Sequence, residues 1–100
     1  MVYKLKYLPS AVRDILDAEA YLYELSPTAA DKFTNKTEQL TKNLCEHPLM
    51  YQAYIDDNYF RSMPLPYDYR LFYHVEEETK TINVHRIIHG MRDINKILYD

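Results

Sequence analysis

Arg61, Arg70, Arg86 and Arg92, with His74, His85 and His89, are the side chains of the second half of this chain best suited to chemistry. A guanidinium presents donors that match two oxygens of a phosphate or carboxylate at once. An imidazole ionises near neutrality and can move a proton where arginine stays charged. Taken together, Arg61, Arg70, His89 and Arg92 describe an anion site on an open sheet face, with His89 as the proton-transfer group. Arg86 and Tyr67 are further candidates for binding the anion or its bearer. The plainer alternative pairs each arginine with a neighbouring acid, Arg70 with Asp68 and Arg92 near Asp93. A metal is not expected. His85 and His89 are four apart in a strand-like segment, which separates them by roughly 13 Å, too far to share one ion. Cys45 is the sole cysteine and has no catalytic partner at a recognisable spacing, so it reads as a small packing residue. No glycine-rich phosphate loop and no nucleophile elbow is present, and no cofactor is expected.

The charge distribution limits what such a site can bind. The formal net charge is −3 and the isoelectric point about 5.8. From Asn58 onward Arg61, Arg70, Lys80, Arg86, Arg92 and Lys96 balance Asp68, Glu76, Glu77, Glu78, Asp93 and Asp100, so the acidic excess lies before them. Three of the late acids sit together at 76–78 in one turn. A negative chain is a poor general coat for nucleic acid, whose non-specific affinity comes from many lysines and arginines. A site for a single phosphate survives this test.

The positioning elements follow from periodicity. Tyr3, Leu5 and Tyr7 alternate with Lys4 and Lys6, which is a half-buried strand. Pro9 ends it, and Ser10 is expected to cap a helix running to about Leu25 through Val12, Ile15, Leu16, Leu22 and Tyr23. Ser26-Pro27 starts a second helix, with serine as N-cap and proline at the first position. Ala30, Phe33, Thr37, Leu40 and Leu44 form its stripe, and His47-Pro48 closes it. A loop over 49–58 ends in Asp56-Asp57-Asn58. Strands follow at Tyr59 to Met63 (broken by Pro64 and Pro66), Tyr69 to Val75 and Thr81 to His89, joined by a polar hairpin. Gly90 then precedes a short helix from Arg92 to Tyr99. The order β-α-α-β-β-β-α implies an α+β fold: a helical hairpin on one face of a small, mainly antiparallel sheet.

One hundred residues, 47% apolar and 27% charged, fit a single globular domain over 1–100. There are 11 tyrosines and no tryptophan. Tyr3, Tyr7, Tyr69 and Tyr73 are expected to line the core, whereas Tyr54, Tyr59 and Tyr67 suit stacking or partner contact. No signal peptide and no run of about 18 apolar residues is visible, so a cytoplasmic protein without a membrane partner is expected.

At Arg61, Tyr69-Arg70-Leu71-Phe72-Tyr73 and Ile87-Ile88-His89-Gly90-Met91-Arg92-Asp93 the sequence resembles the RelE/ParE superfamily of bacterial toxins. The likeness extends to the opening strand, to the Ala11 to Leu25 helix with Asp14 and Tyr21, and to the close at Leu44 to Pro48. It implies a type II toxin–antitoxin pair, in which a cognate antitoxin wraps and blocks a growth-inhibiting toxin. RelE-like members cut messenger RNA on the ribosome without a metal, by attack of the ribose 2′-hydroxyl on the adjacent phosphate. Arg70 and Arg92 fall on functional arginine positions of that branch, and His89 is the proton-transfer candidate beside them. Two departures stand out. The Tyr59 to Met63 strand lacks the branch's lysines, and Leu98 occupies its terminal tyrosine position, with Tyr99 turned about 100° away on a helix. ParE-like members lack the nuclease residues and poison DNA gyrase. The resemblance leaves ribosome-bound mRNA and gyrase both open as targets. Beside them stands a non-toxic relative that only binds an antitoxin or peptide.

Overall fold

The computed structural model describes residues 2–54 and 59–99; the expected Asp56-Asp57-Asn58 turn lies outside them. The elements are β1 (Lys4–Tyr7), α1 (Pro9–Leu25), α2 (Pro27–Glu46), β2 (Arg61–Leu65), a 3-10 turn (Pro66–Asp68), β3 (Tyr69–Glu76), β4 (Thr81–His89) and α3 (Ile94–Tyr99). The sheet order is β1-β4-β3-β2. β1 runs parallel to β4, and the β4–β3 and β3–β2 pairs are antiparallel. The expected α+β architecture is present, with a mixed sheet.

The helix starts differ from each other. α1 begins at Pro9, one residue before the expected Ser10 cap, and Leu8 at its N-cap offers no side-chain acceptor. Proline at the first position tolerates this because its missing amide would have had no partner there. At α2 the Ser26 hydroxyl accepts from the Ala29 amide at 3.4 Å, as the Ser26-Pro27 pair predicts.

Both helices lie on one face of the sheet. Ala11, Ala18 and Leu22 of α1 and Ala30, Phe33, Leu44 and Cys45 of α2 pack with Met63, Leu65, Leu71, Tyr73, Ile82, Val84 and Ile87. Cys45 is a buried packing residue whose thiol pKa burial pushes up. Tyr3, Tyr7 and Tyr69 border this core and Tyr73 sits inside it. The Tyr73 hydroxyl donates to the Pro48 carbonyl at 3.1 Å, and burial pushes its pKa up to about 12 against the pull of the Arg61 charge.

Two features depart from the expected strands. β2 continues through Pro64 to Leu65, which is tolerated because β2 is an edge strand and needs no donor on its outer side. The β3–β4 ladder shifts register: Tyr73 pairs with Val84 but Phe72 pairs with Arg86, leaving His85 as an extra residue.

The second sheet face is only partly open. Phe72 and Ile88 are buried there, Tyr54 meets Phe72 edge-on at 4.9 Å, and Phe60 contacts His85 and Tyr99. Tyr59 stacks on His74 at 4.1 Å and meets the His85 ring at 5.8 Å. Burial first, and the neighbouring His74 second, hold the His85 pKa below its ordinary 6.5. A depressed histidine pKa favours the neutral ring in the folded state. Its contribution is therefore complete above pH 6.5 and is lost as pH falls through the lower folded value. Urea denaturation at pH 7.5 and near pH 5 should show wild type losing more stability than His85→Gln. Equal losses would contradict this assignment.

Candidate functional site

Arg86 follows the extra residue of β4 and turns toward α1. Its Nε donates to Asp14 Oδ2 at 2.7 Å and its Nη2 donates to Asp14 Oδ1 at 2.9 Å. The same Oδ2 accepts the Ile87 amide at 2.9 Å. This Asp14 pairing raises the Arg86 pKa. Arg86 also lines a groove of about 560 Å³ with Arg92, Asp93, Lys96 and Ile97, and a smaller one with Pro9, Ser10, Arg13 and Asp14. It is a shared wall between two polar depressions, with its own donors partly committed to Asp14.

Arg70 projects from the sheet face opposite the helices, since Tyr69 and Leu71 on either side face the core. Its Nη2 donates to the Ser62 hydroxyl at 3.0 Å. It lines a groove of about 410 Å³ with Tyr51, Gln52, Tyr54, Ser62 and Pro64. No ion pair joins Arg70 to Asp68 among the described residues; Asp68 turns instead to Gly90.

Arg61 pairs in register with Tyr73, so it lies on the helix side. Its Nη1 donates to the Tyr51 carbonyl at 2.6 Å, and Ala53 bridges it across the strand edge. This arginine ties the segment after α2 to the sheet.

His89 also lies on the helix side. It pairs with Tyr69, whose ring it meets edge-on at 5.0 Å, and Tyr69 packs on Phe33 of α2 at 5.3 Å. The Met91 amide donates to His89 Nδ1 at 3.1 Å. With Nδ1 an acceptor, the neutral ring carries its proton on Nε2 and presents a donor, not a base, to its surroundings. Arg92 lies beyond the end of β4, exposed.

Arg61, Arg70, His89 and Arg92 therefore do not share one face. Arg61 and His89 face the helix layer two strands and several residues apart, one across from Tyr73 and the other across from Tyr69; Arg70 faces away, and Arg92 follows the last strand. Tyr67 occupies a further place, half-exposed in the 3-10 turn beside α2, where it lines a groove with Lys32, Lys36 and Pro66. Among the described residues no three histidine, cysteine, aspartate or glutamate side chains gather as metal ligands. No described helix is long and apolar enough to cross a membrane.

Asp14 is the site residue that composition and spacing leave unassigned. Its signal is an acid between Ala11 and Ala18 on the helix face that meets the sheet, where a charge needs a partner.

The comparisons with known proteins agree with this architecture. A crystal structure of the RelBE2 toxin–antitoxin complex from Mycobacterium tuberculosis shares 22% identity, covering 89% of this chain and 99% of that one, with a TM-score of 0.61. The chromosomal ParDE toxin–antitoxin system from P. aeruginosa is 19% identical, covers 88% and 96%, and scores 0.71. A free, doubly substituted mutant of the E. coli toxin RelE is 17% identical, covers 97% and 93%, and scores 0.61. These likenesses are in fold. No curated protein sequence matches significantly. The family model for the ParE toxin of type II toxin–antitoxin systems, parDE, matches residues 5–94, and with nine-tenths of its length so matched the chain belongs to the ParE toxin family.

Proposed function

We propose that this chain arrests growth by binding DNA gyrase in the cytoplasm, and that a cognate antitoxin restrains it. What carries this reading is the separation of Arg70 and His89 onto opposite faces of the sheet. Cleavage through a 2′-hydroxyl needs a proton acceptor and a cation at one phosphate. Here the histidine is turned to the helix layer with Nδ1 occupied, and the arginine rests on Ser62 with no lysine beside it. A binding toxin needs neither. The exposed Val12, Leu16 and Tyr23 of α1 and the exposed Arg92 and Lys96 leave apolar and basic surface for protein partners.

The test is induction of the chain without its antitoxin, with transcripts and chromosome followed in the same culture. The expected result is double-strand DNA breaks with intact message, reproduced by purified protein and gyrase. Arrest should persist in His89→Ala. Ribosome-dependent cleavage of transcripts that disappears in Arg70→Ala would overturn the reading in favour of the nuclease. Unchanged growth with tight antitoxin binding would leave a binding module only.

A further inference from the structure

Tyr67 and Asp68 are consecutive residues in the left-handed region, with φ of 61° and 64°. Side chains with a Cβ are crowded there, and glycine is the usual occupant of such turns. Two strained residues in succession need a clamp. The Asp68 carbonyl accepts the Gly90 amide at 2.7 Å. The Asp68 carboxylate lies so close that a Cβ on Gly90 would meet it at 2.8 Å. The turn is thus locked to the end of β4, and its product is the placement of Tyr67. That ring is 42% exposed and lines, with Pro66, a groove of about 450 Å³ against α2.

The facing wall is chemically selective. Lys32, Asn35, Lys36 and Gln39 follow i, i+3, i+4, i+7 spacing, one stripe of a helix. It carries two ammonium groups and two amides, with no acid and no aliphatic side chain. Among the described residues neither lysine has an acidic partner.

We infer that this groove is a nucleotide site: a base lies against Tyr67 and Pro66, its phosphate meets Lys32 and Lys36, and Asn35 and Gln39 hydrogen-bond its polar edges. Each wall is used. An aromatic ring stacks any unpaired base, lysine neutralises phosphate, and side-chain amides both donate and accept at base edges. An acidic peptide would engage the lysines but leave the aromatic and amides idle. An apolar helix could cover the lysine stems, Pro66 and Tyr67, but would leave both ammonium groups and both amides without partners. A duplex keeps its bases stacked inside and out of reach. One or two phosphates suffice, so the negative total charge is no obstacle. The site lies on the helix side, apart from the Arg70 groove, and holds for either toxin target.

Fluorescence anisotropy of the 100-residue chain with a labelled oligouridylate or oligothymidylate tests this, with a hairpin duplex and ATP as competitors. Tyr67→Gly removes the ring while relieving the left-handed backbone, so it should melt no lower than wild type. It is expected to weaken single-strand binding at least about fivefold. Lys32→Gln/Lys36→Gln should weaken it comparably and flatten its salt dependence. Displacement by ATP would name a free nucleotide as the source, and displacement by unlabelled strand alone would name a strand-borne one; either supports the site. Wild-type affinity in Tyr67→Gly, equal affinity for the duplex, or a glutamate-rich peptide binding through the lysines without Tyr67 would overturn it.

Discussion

Phe33→Ala is expected to destabilise the protein by about 3–5 kcal/mol. Phe33 is 0% exposed and sits on the α2 stripe against the sheet, its ring edge-on to Tyr69 at 5.3 Å. Alanine leaves a void bounded by β-strands whose ladders resist collapse, so the cavity cost adds to the lost burial. A domain of this size has about 5–15 kcal/mol in total, and each kcal/mol shifts its Tm by about 4–8 °C. The midpoint should therefore fall by at least about 12 °C. Phe33→Leu keeps most of the volume and should cost much less. The loss also reaches the end of β4, because Tyr69 is the ring that His89 packs on. Urea denaturation of both variants checks the ordering, and a loss below about 1 kcal/mol for alanine would contradict it.

How much of this was legible beforehand depended on the range of each interaction. Alternation in Tyr3, Leu5 and Tyr7, the three-four stepping of the α2 stripe, and the Ser26-Pro27 start are local patterns, and the structure reproduces them. Arg70 could be placed on the far face because β3 alternates without interruption from Tyr69 to Tyr73. His89 could not. Counting by twos from Ile82 and Val84 puts Ile88 in the core and His89 outside. The extra residue at His85 inverts that parity, so Ile87 and His89 face the helices and Ile88 faces away. The bulge therefore parts His89 from Arg70, and no local residue pattern announces a bulge here; Arg61 is on the helix side independently of it, through its pairing with Tyr73.

The strain at Tyr67 and Asp68 was hidden for a related reason. The sequence has one glycine, and it sits at 90 rather than in the turn itself. Its purpose is visible only once the two segments meet, where the Asp68 carboxylate leaves no room for a Cβ. Pro64 was equally opaque. A proline breaks a central strand but not the outer edge of β2, and edge status is a property of the whole sheet.

Asp14→Ala is the second large effect expected, about 2–4 kcal/mol. β1 accompanies β4 only as far as the Tyr7–Val84 pair, and the Leu8 amide makes the last strand-like bond, to the Val84 carbonyl. Beyond that point β4 has lost its neighbour, and the Ile87 amide would face an edge with no acceptor. Asp14 replaces the missing strand with one carboxylate that takes this amide and two donors of Arg86, from Nε and Nη2. The Asp14 side chain is 12% exposed and that of Arg86 27%, so water reaches the arginine enough to soften the loss but not the amide equally. Asp14→Asn keeps a carbonyl acceptor and should cost less than alanine. The cycle with Arg86→Ala separates the two roles: the double variant should recover about 1–3 kcal/mol relative to additivity, while exchange of the Ile87 amide stays fast in every variant lacking the carboxylate. Strict additivity would mean that the ion pair contributes nothing beyond the strand cap. Freed from Asp14, the Arg86 guanidinium would join Arg92 and Lys96 in the neighbouring groove, so the same substitution that weakens the fold should strengthen anion binding there.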